Sequence, residues 1–304
     1  MKKSVLLFSL CFLCVLTSVA SDTISITSPD KNLVCRIFLT GPAGGSGNLY
    51  YELNYKDKAV IKKSALGINL KSPALQLNTF DLVEKNISTT DESWTPVWGE
   101  VKQIRNNYQQ LFLRLKTKDE ILVNMVFKLF NDGVGFRYEF PQQAKLKHFI
   151  IAEETTQFAV TGDHKTFWIP GDYDTNEYAY YTSKLSEIDA TGGKFSQEIH
   201  AKTYFNANGV QTPLMMKTGE NLYINIHEAA LVNYPAMNLV IDKSSNILNA
   251  HLVPDAVGNK AYLQTPSKTP WRTVIVSDKA TDILASKMIL NLNEPSQIVN
   301  TSWI

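Results

Sequence analysis

From Thr23 to about Val276 the chain reads as one short strand after another, each closed by a turn signal. Phe136-Arg-Tyr-Glu-Phe140 alternates apolar and aromatic residues with charged ones at period two. That period sends one face of an extended segment into a core and the other toward solvent. Strand-like runs occupy residues 33–39, 49–55, 74–82, 101–104, 110–115, 121–130, 149–153, 222–227, 237–241 and 271–276. Asp132-Gly133 is a hairpin-turn signal, and the glycines from Gly41 to Gly47 mark another tip. No regular exchange of helical and strand segments appears, so a parallel α/β core is not expected over these residues. The pattern predicts an all-β fold, a large β-sandwich with few short helices. One helix is expected after Asp278, which would cap it, with Ile283, Leu284 and Met288 on one face. Residues 289–295 then read as a last strand. The Trp303-Ile304 end reads as the lead-in to a further domain.

The first residues read as an address. Lys2 and Lys3 precede an apolar run over 5–16, and Ser18-Val19-Ala20 offers small residues for cleavage. Residues 1–20 are therefore expected to be a signal peptide, and the chain to be exported, periplasmic or secreted. The apolar run is too short to span a bilayer, so no membrane span is expected. Cys11 and Cys14 would leave with the signal, and Cys35 would remain as a packed, unpaired thiol. With a net charge of +1 and 19% charged residues, no basic block points to nucleic acid.

One stretch is chemically dense. Trp168-Ile-Pro-Gly-Asp-Tyr-Asp-Thr-Asn-Glu-Tyr-Ala-Tyr-Tyr181 places Asp172, Asp174, Asn176 and Glu177 among four tyrosines. Clustered oxygen donors suit Ca²⁺, and aromatics beside carboxylates suit a sugar. The stretch is not an EF-hand loop, because Glu177 stands where that loop needs Gly and Ser183 where it needs Glu. On spacing alone, a polar surface loop whose Asp residues make turns explains the run as well. Other motifs fail. His227-Glu228 has Leu231 where a zinc helix needs His, and no phosphate loop, nucleophile elbow or Cys pair is present. The run from Asp91 to Glu100, with Trp94 and Trp98, could line a sugar cleft, and a purely structural role explains it equally well. Arg137 is expected to pair across strands, and His164 to be a hydrogen-bonded turn residue.

Several of these stretches taken together resemble the amino-terminal domain of glycoside hydrolase family 97. They are Trp94-Thr-Pro-Val-Trp-Gly-Glu100, Asn131-Asp-Gly-Val-Gly-Phe-Arg-Tyr-Glu-Phe-Pro141, Thr161-Gly-Asp-His164, the Trp168 to Glu177 run, Tyr223-Ile-Asn-Ile-His-Glu-Ala-Ala-Leu231 and Thr269-Pro-Trp-Arg-Thr273. The resemblance implies a β-super-sandwich over residues 21–290, with 291–304 beginning a linker to a (β/α)8 catalytic barrel. That barrel, with the acid and base carboxylates, is not part of this sequence. It implies the chemistry of α-glucosidases and α-galactosidases, with α-linked oligosaccharides as substrates. It also implies a Ca²⁺ shared with the barrel, for which Glu177 is the ligand and Asn176 a second candidate. The Asp91 to Glu100 run looks more like the α-glucosidase members.

Residues 189–208 interrupt the strand pattern with a polar loop. Within it, Glu198-Ile199-His200 is a candidate contribution to substrate binding. Three functions follow for the chain: a domain that supports a barrel and lends it Glu177, a stand-alone non-catalytic carbohydrate-binding or scaffold module, or an inactive remnant.

Overall fold

The computed structural model describes residues 19–42, 46–191, 203–298 and 300–303. The expected sandwich is present. One layer runs in the order Val19–Thr27, Leu33–Pro42, Gly47–Tyr55, Lys58–Ala65, Gln157–Val160, Ile247–Leu252, Met237–Asp242 and Gly209–Gln211, every neighbour antiparallel. The facing layer runs Thr79–Trp94, Ile104–Lys116, Leu122–Leu129, Gly133–Phe140, Trp271–Ser277, Tyr223–Ala229, Leu214–Lys217, Lys165–Trp168 and Tyr181–Lys184, again antiparallel. A smaller sheet, Ala261–Gln264, His148–Glu154, Ile68–Ser72 and Ala74–Leu77, completes the architecture.

The core lies between the layers, as period-two burial requires. Tyr51 of the first layer meets Phe136 of the second with ring centroids 4.9 Å apart, and Phe158 lies 6.3 Å from Phe136. Such tilted ring pairs add specificity to the area they bury. Cys35 is buried in this core and unpaired, and burial pushes its thiol pKa well up. A thiol so held stays protonated and unreactive.

The carboxy-terminal expectations need correction. Two short helices, Ala280–Ala285 and Met288–Leu292, replace the single helix. Asp278 does not cap the first; it pairs with Lys56 at 2.8 Å. Leu284 is 88% exposed and shares no buried face with Met288. The expected strand over 289–295 is absent: residues 289–292 belong to the second helix, and 293–295 are irregular. Met288 and Leu292 are four residues apart, so a helix puts both against Tyr108, Phe130 and Trp271 on the outer face of the second layer. Leu292 lies where a side chain at Gly135 would stand, 2.6 Å from its virtual Cβ, so that strand position requires glycine.

Other expectations shift by small amounts. The strand expected over 101–104 starts only at Ile104. The first strand begins at Val19, inside the span assigned to the signal peptide. Arg137 pairs with Glu139 two residues along its own strand, and its guanidinium lies across the neighbouring strand's Trp271 at 4.2 Å. His164 is a turn residue as expected, hydrogen-bonded to the Thr161 hydroxyl at 2.9 Å. Burial lowers its pKa against the pull of Asp163. Among the described residues no helix is long and apolar enough to cross a membrane.

Candidate functional site

The Trp168 to Tyr181 stretch leaves the second layer at the end of Lys165–Trp168 and returns at Tyr181–Lys184. Its course is fixed by specific contacts. Trp168 donates its indole N–H to the Ser183 hydroxyl at 3.0 Å, and its ring lies 5.2 Å from Tyr181. At Gly171 a Cβ would come within 2.7 Å of Phe205 and 2.9 Å of the Gly209 backbone, so only glycine passes there.

Asp172 then organises the loop. Five donors converge on its buried carboxylate: the backbone N–H groups of Asp174, Thr175 and Thr203 at 2.9, 3.2 and 2.8 Å, and the hydroxyls of Tyr178 and Thr203 at 2.6 and 2.5 Å. Burial alone would raise its pKa, but the bonds from Thr203, Tyr178 and Asp174 outweigh that and lower it. Asp172 is therefore a keystone of the loop, with its oxygens already committed.

Tyr173 ties the loop to the first layer. Its ring stacks on Phe205 at 4.8 Å, and its hydroxyl meets His251 Nε2 at 2.8 Å. His251 Nδ1 in turn faces Glu153 at 3.1 Å, and Glu153 also accepts the Leu252 N–H. Gln211 completes the clamp by donating to the carbonyls of Pro170 and Thr175 at 3.0 and 2.7 Å. With its base so held, the loop presents Asn176 and Glu177 to solvent. Glu177 donates its own N–H to the Thr175 hydroxyl at 3.2 Å. Asp172 to Asn176, Gln211, Glu228 and Asn238 line a cavity of about 310 Å³.

Beneath this cavity lies a cluster that sequence motifs do not assemble. Arg272 is fully buried and forms a two-pronged pair with Glu154, Nε to Oε1 at 2.9 Å and Nη2 to Oε2 at 2.7 Å. Its Nη1 donates to Glu228 at 2.5 Å. Glu154 also accepts from Thr156, which is bonded to Tyr138. Glu228 accepts the Met237 N–H at 3.1 Å, so it joins the cluster to the cavity wall. Burial raises the Glu228 pKa, and Arg272 opposes that rise. The signal was present in the alternation. Glu228 shares a strand face with Ile224 and Ile226, and Arg272 shares one with Val274 and Val276. A charge on an apolar face needs a partner, and the register pairs these two positions directly.

The remaining candidates divide. Glu198, Ile199 and His200 lie outside the described residues. In the Asp91 to Glu100 run, Asp91 pairs with Arg105 at 2.7 Å, and Trp98 is 76% exposed. None of that run lines the cavity beside Asp172. Among the described residues no three metal-ligating side chains gather into a group that would hold an ion. Asn176 and Glu177 are exposed on this anchored loop, and their side-chain oxygens are of the type hard cations take; among the described residues no complete cage surrounds them.

A profile of the glycosyl-hydrolase 97 N-terminal domain matches residues 26–295. The chain belongs to this family. A retaining alpha-galactosidase of Bacteroides thetaiotaomicron is 25% identical to it, over all of this chain and 46% of that protein. Among solved structures, a glycoside hydrolase family 97 enzyme of Pseudoalteromonas sp. strain K8 in complex with acarbose superposes with a TM-score of 0.79 at 32% identity. That match covers 92% of this chain and 39% of the enzyme. A panose complex from the same source gives 0.78 at 31% identity. The chain thus spans less than half the length of these relatives.

The Asp172 keystone makes a prediction of its own. Asp172→Asn would aim an amide N–H₂ at donors, leaving the Tyr178 hydroxyl or the Thr203 N–H without an acceptor. The expected loss is about 2 kcal/mol, measurable by urea unfolding. A depressed carboxyl pKa stabilises the fold above its unfolded value, 3.8, and that stabilisation disappears as pH falls through the lower folded value. The native chain should lose this contribution below about pH 4, and the variant should show no such loss.

Proposed function

We propose that this chain is the amino-terminal β-sandwich of an exported α-glycosidase. In this reading it carries a (β/α)8 catalytic barrel and lends Glu177, with Asn176 beside it, to a Ca²⁺ that the barrel completes. The observation that carries the reading is the anchored loop. Asp172, Tyr173 and Gln211 hold its base in place, and an exposed carboxylate stands at its outer turn. A loop held this way keeps its ligand in position without a bound ion, which lowers the ordering cost of binding. Bound Ca²⁺ would act as a Lewis acid toward a sugar or leaving-group oxygen. This chain's own residues would position Glu177, border the substrate with the cavity beside Asp172, and shield it from water on one side.

α-Glucosides are the favoured substrates. What supports this is that two solved family 97 relatives, at 32% and 31% identity, hold acarbose and panose. The signal-like leader would send the protein to the periplasm or outside the cell.

Glycoside hydrolysis needs two carboxylates placed across the scissile bond. Of the three carboxylates lining the cavity, Asp172 is committed to five donors and Glu228 to Arg272, which leaves Asp174 with no second free acid beside it among the described lining residues. The purified chain should therefore not turn over p-nitrophenyl α-glucoside. Turnover that a single substitution in this chain abolishes would contradict the reading.

A further inference from the structure

The small sheet carries a second cavity, of about 640 Å³, on the face turned away from the core. Strand alternation builds it. Phe149, Ile151, Leu70 and Ala261 point inward and are buried, while His148, Ile150, Ser72, Tyr262 and Gln264 take the outer positions. The register sets these side by side: Tyr262 opposite Ile150, Ile150 opposite Ser72, and Gln264 opposite His148. Asn233, from the connection before Met237–Asp242, adds an amide at the rim.

Tyr262 is the central feature. It is 60% exposed, yet its orientation is fixed from behind. Its hydroxyl donates to Asp255 at 2.7 Å and accepts from Asn259, whose side-chain oxygen is held by Lys71 at 2.6 Å. An exposed ring that has already lost its rotational freedom is a pre-organised platform. No Asp, Glu, Lys or Arg lines the cavity. Its chemistry is one aromatic face, an apolar strip from Ile150, and neutral hydrogen-bonding groups around them. Asp255 and Lys71, which brace Tyr262, stand outside the lining, so a charged peptide or a phosphate meets no counter-charge on the cavity wall. A pyranose fits better, because its C–H face packs on a ring while its edge hydroxyls meet amides and imidazole.

We propose that this cavity binds a neutral oligosaccharide, with the Tyr262 ring as platform and Gln264, His148 and Asn233 as hydroxyl partners. The site is distinct from the Glu177 loop, since no residue lines both cavities. The connection over residues 230–236 stands between them, giving Asn233 to one and Ala236 to the other. The proposal does not depend on Ca²⁺ or on a barrel, and it holds or fails in this chain alone.

Isothermal titration of the full chain tests it, with maltohexaose as an α-glucosyl probe and stachyose as an α-galactosyl probe. One ring and a few neutral contacts should give a dissociation constant on the order of 1 mM for at least one probe. Tyr262→Ala should weaken binding at least about tenfold, which is roughly 1.4 kcal/mol. Tyr262→Phe keeps the platform but frees it from Asp255 and Asn259, and should fall between the two. Gln264→Ala, on the same exposed face, provides a second reading if the first variant is unstable. Binding to one probe and not the other identifies the sugar. Heat from neither probe, as expected if this face packs against another protein domain, overturns the proposal. So does binding that both Tyr262→Ala and Gln264→Ala leave unchanged.

Discussion

Arg272→Met should destabilise the domain by about 3–5 kcal/mol, a large fraction of the stability of an ordinary domain. Arg272 and Glu154 have side chains that are 0% exposed, and Glu228 reaches only 6%. Methionine fills much of the space but leaves two buried carboxylates with no counter-charge. The cost comes from those orphaned groups, since a buried ion pair as a whole adds little net stability. For a domain of this size the loss should lower Tm by roughly 6–20 °C. It should shrink as the pH is lowered, because the carboxylates can then take up protons.

Glu228→Gln is the contrasting case. Burial raises the Glu228 carboxyl above its ordinary 4.5 against the opposing pull of Arg272. A carboxyl raised on folding favours the folded state when protonated, and that contribution is lost as pH rises through the folded value. The amide should therefore cost under about 1 kcal/mol at neutral pH, because Glu154 still neutralises Arg272. Thermal unfolding of both variants between pH 4 and 8 would show the difference.

Glu177→Gln should have the opposite profile: little effect on folding, a large one on function. Its side chain lies on the exposed part of the loop, outside the core clusters. Unfolding of the variant should superpose on that of the native chain, since surface substitutions seldom matter to a core. In a barrel-containing protein the same change removes one charge from the proposed Ca²⁺ shell while nearly keeping its shape. Affinity for Ca²⁺ should fall at least about tenfold, and turnover should fall with it. Excess Ca²⁺ should restore part of the rate.

Much of the fold was legible because β-alternation is local. Phe136 to Phe140 shows its inward face in five residues, and Asp132-Gly133 marks the turn before it. The carboxy-terminal end misled for a related reason. Leu290 and Leu292 around Asn291 imitate period two, whereas the burial that decides the matter joins Met288 to Leu292 at helical spacing. The Asp172 loop was legible as a turn rich in oxygen ligands, and the resemblance singled out Glu177. That Asp172 turns the loop was legible, since Asp174, Thr175 and Tyr178 are its near neighbours; that it also takes both donors of Thr203 was not, because Thr203 lies 31 residues away. In the Arg272 cluster the alternation marks charges on apolar faces, but which charges meet was hidden, because the partners of Arg272 lie 118 and 44 residues away in the chain.

Calorimetric titration of Ca²⁺ decides whether Glu177 serves a shared metal site. Three proteins are compared: the chain alone, a barrel-containing protein that includes it, and the latter with Glu177→Gln. One exposed carboxylate falls far short of the roughly six to eight oxygens that Ca²⁺ prefers. The chain alone should therefore give no saturable heat. The barrel-containing protein should bind Ca²⁺, and the variant should bind it at least about tenfold more weakly. Tight binding by the chain alone, unchanged by Glu177→Gln, would contradict the assignment of this loop to a shared metal site.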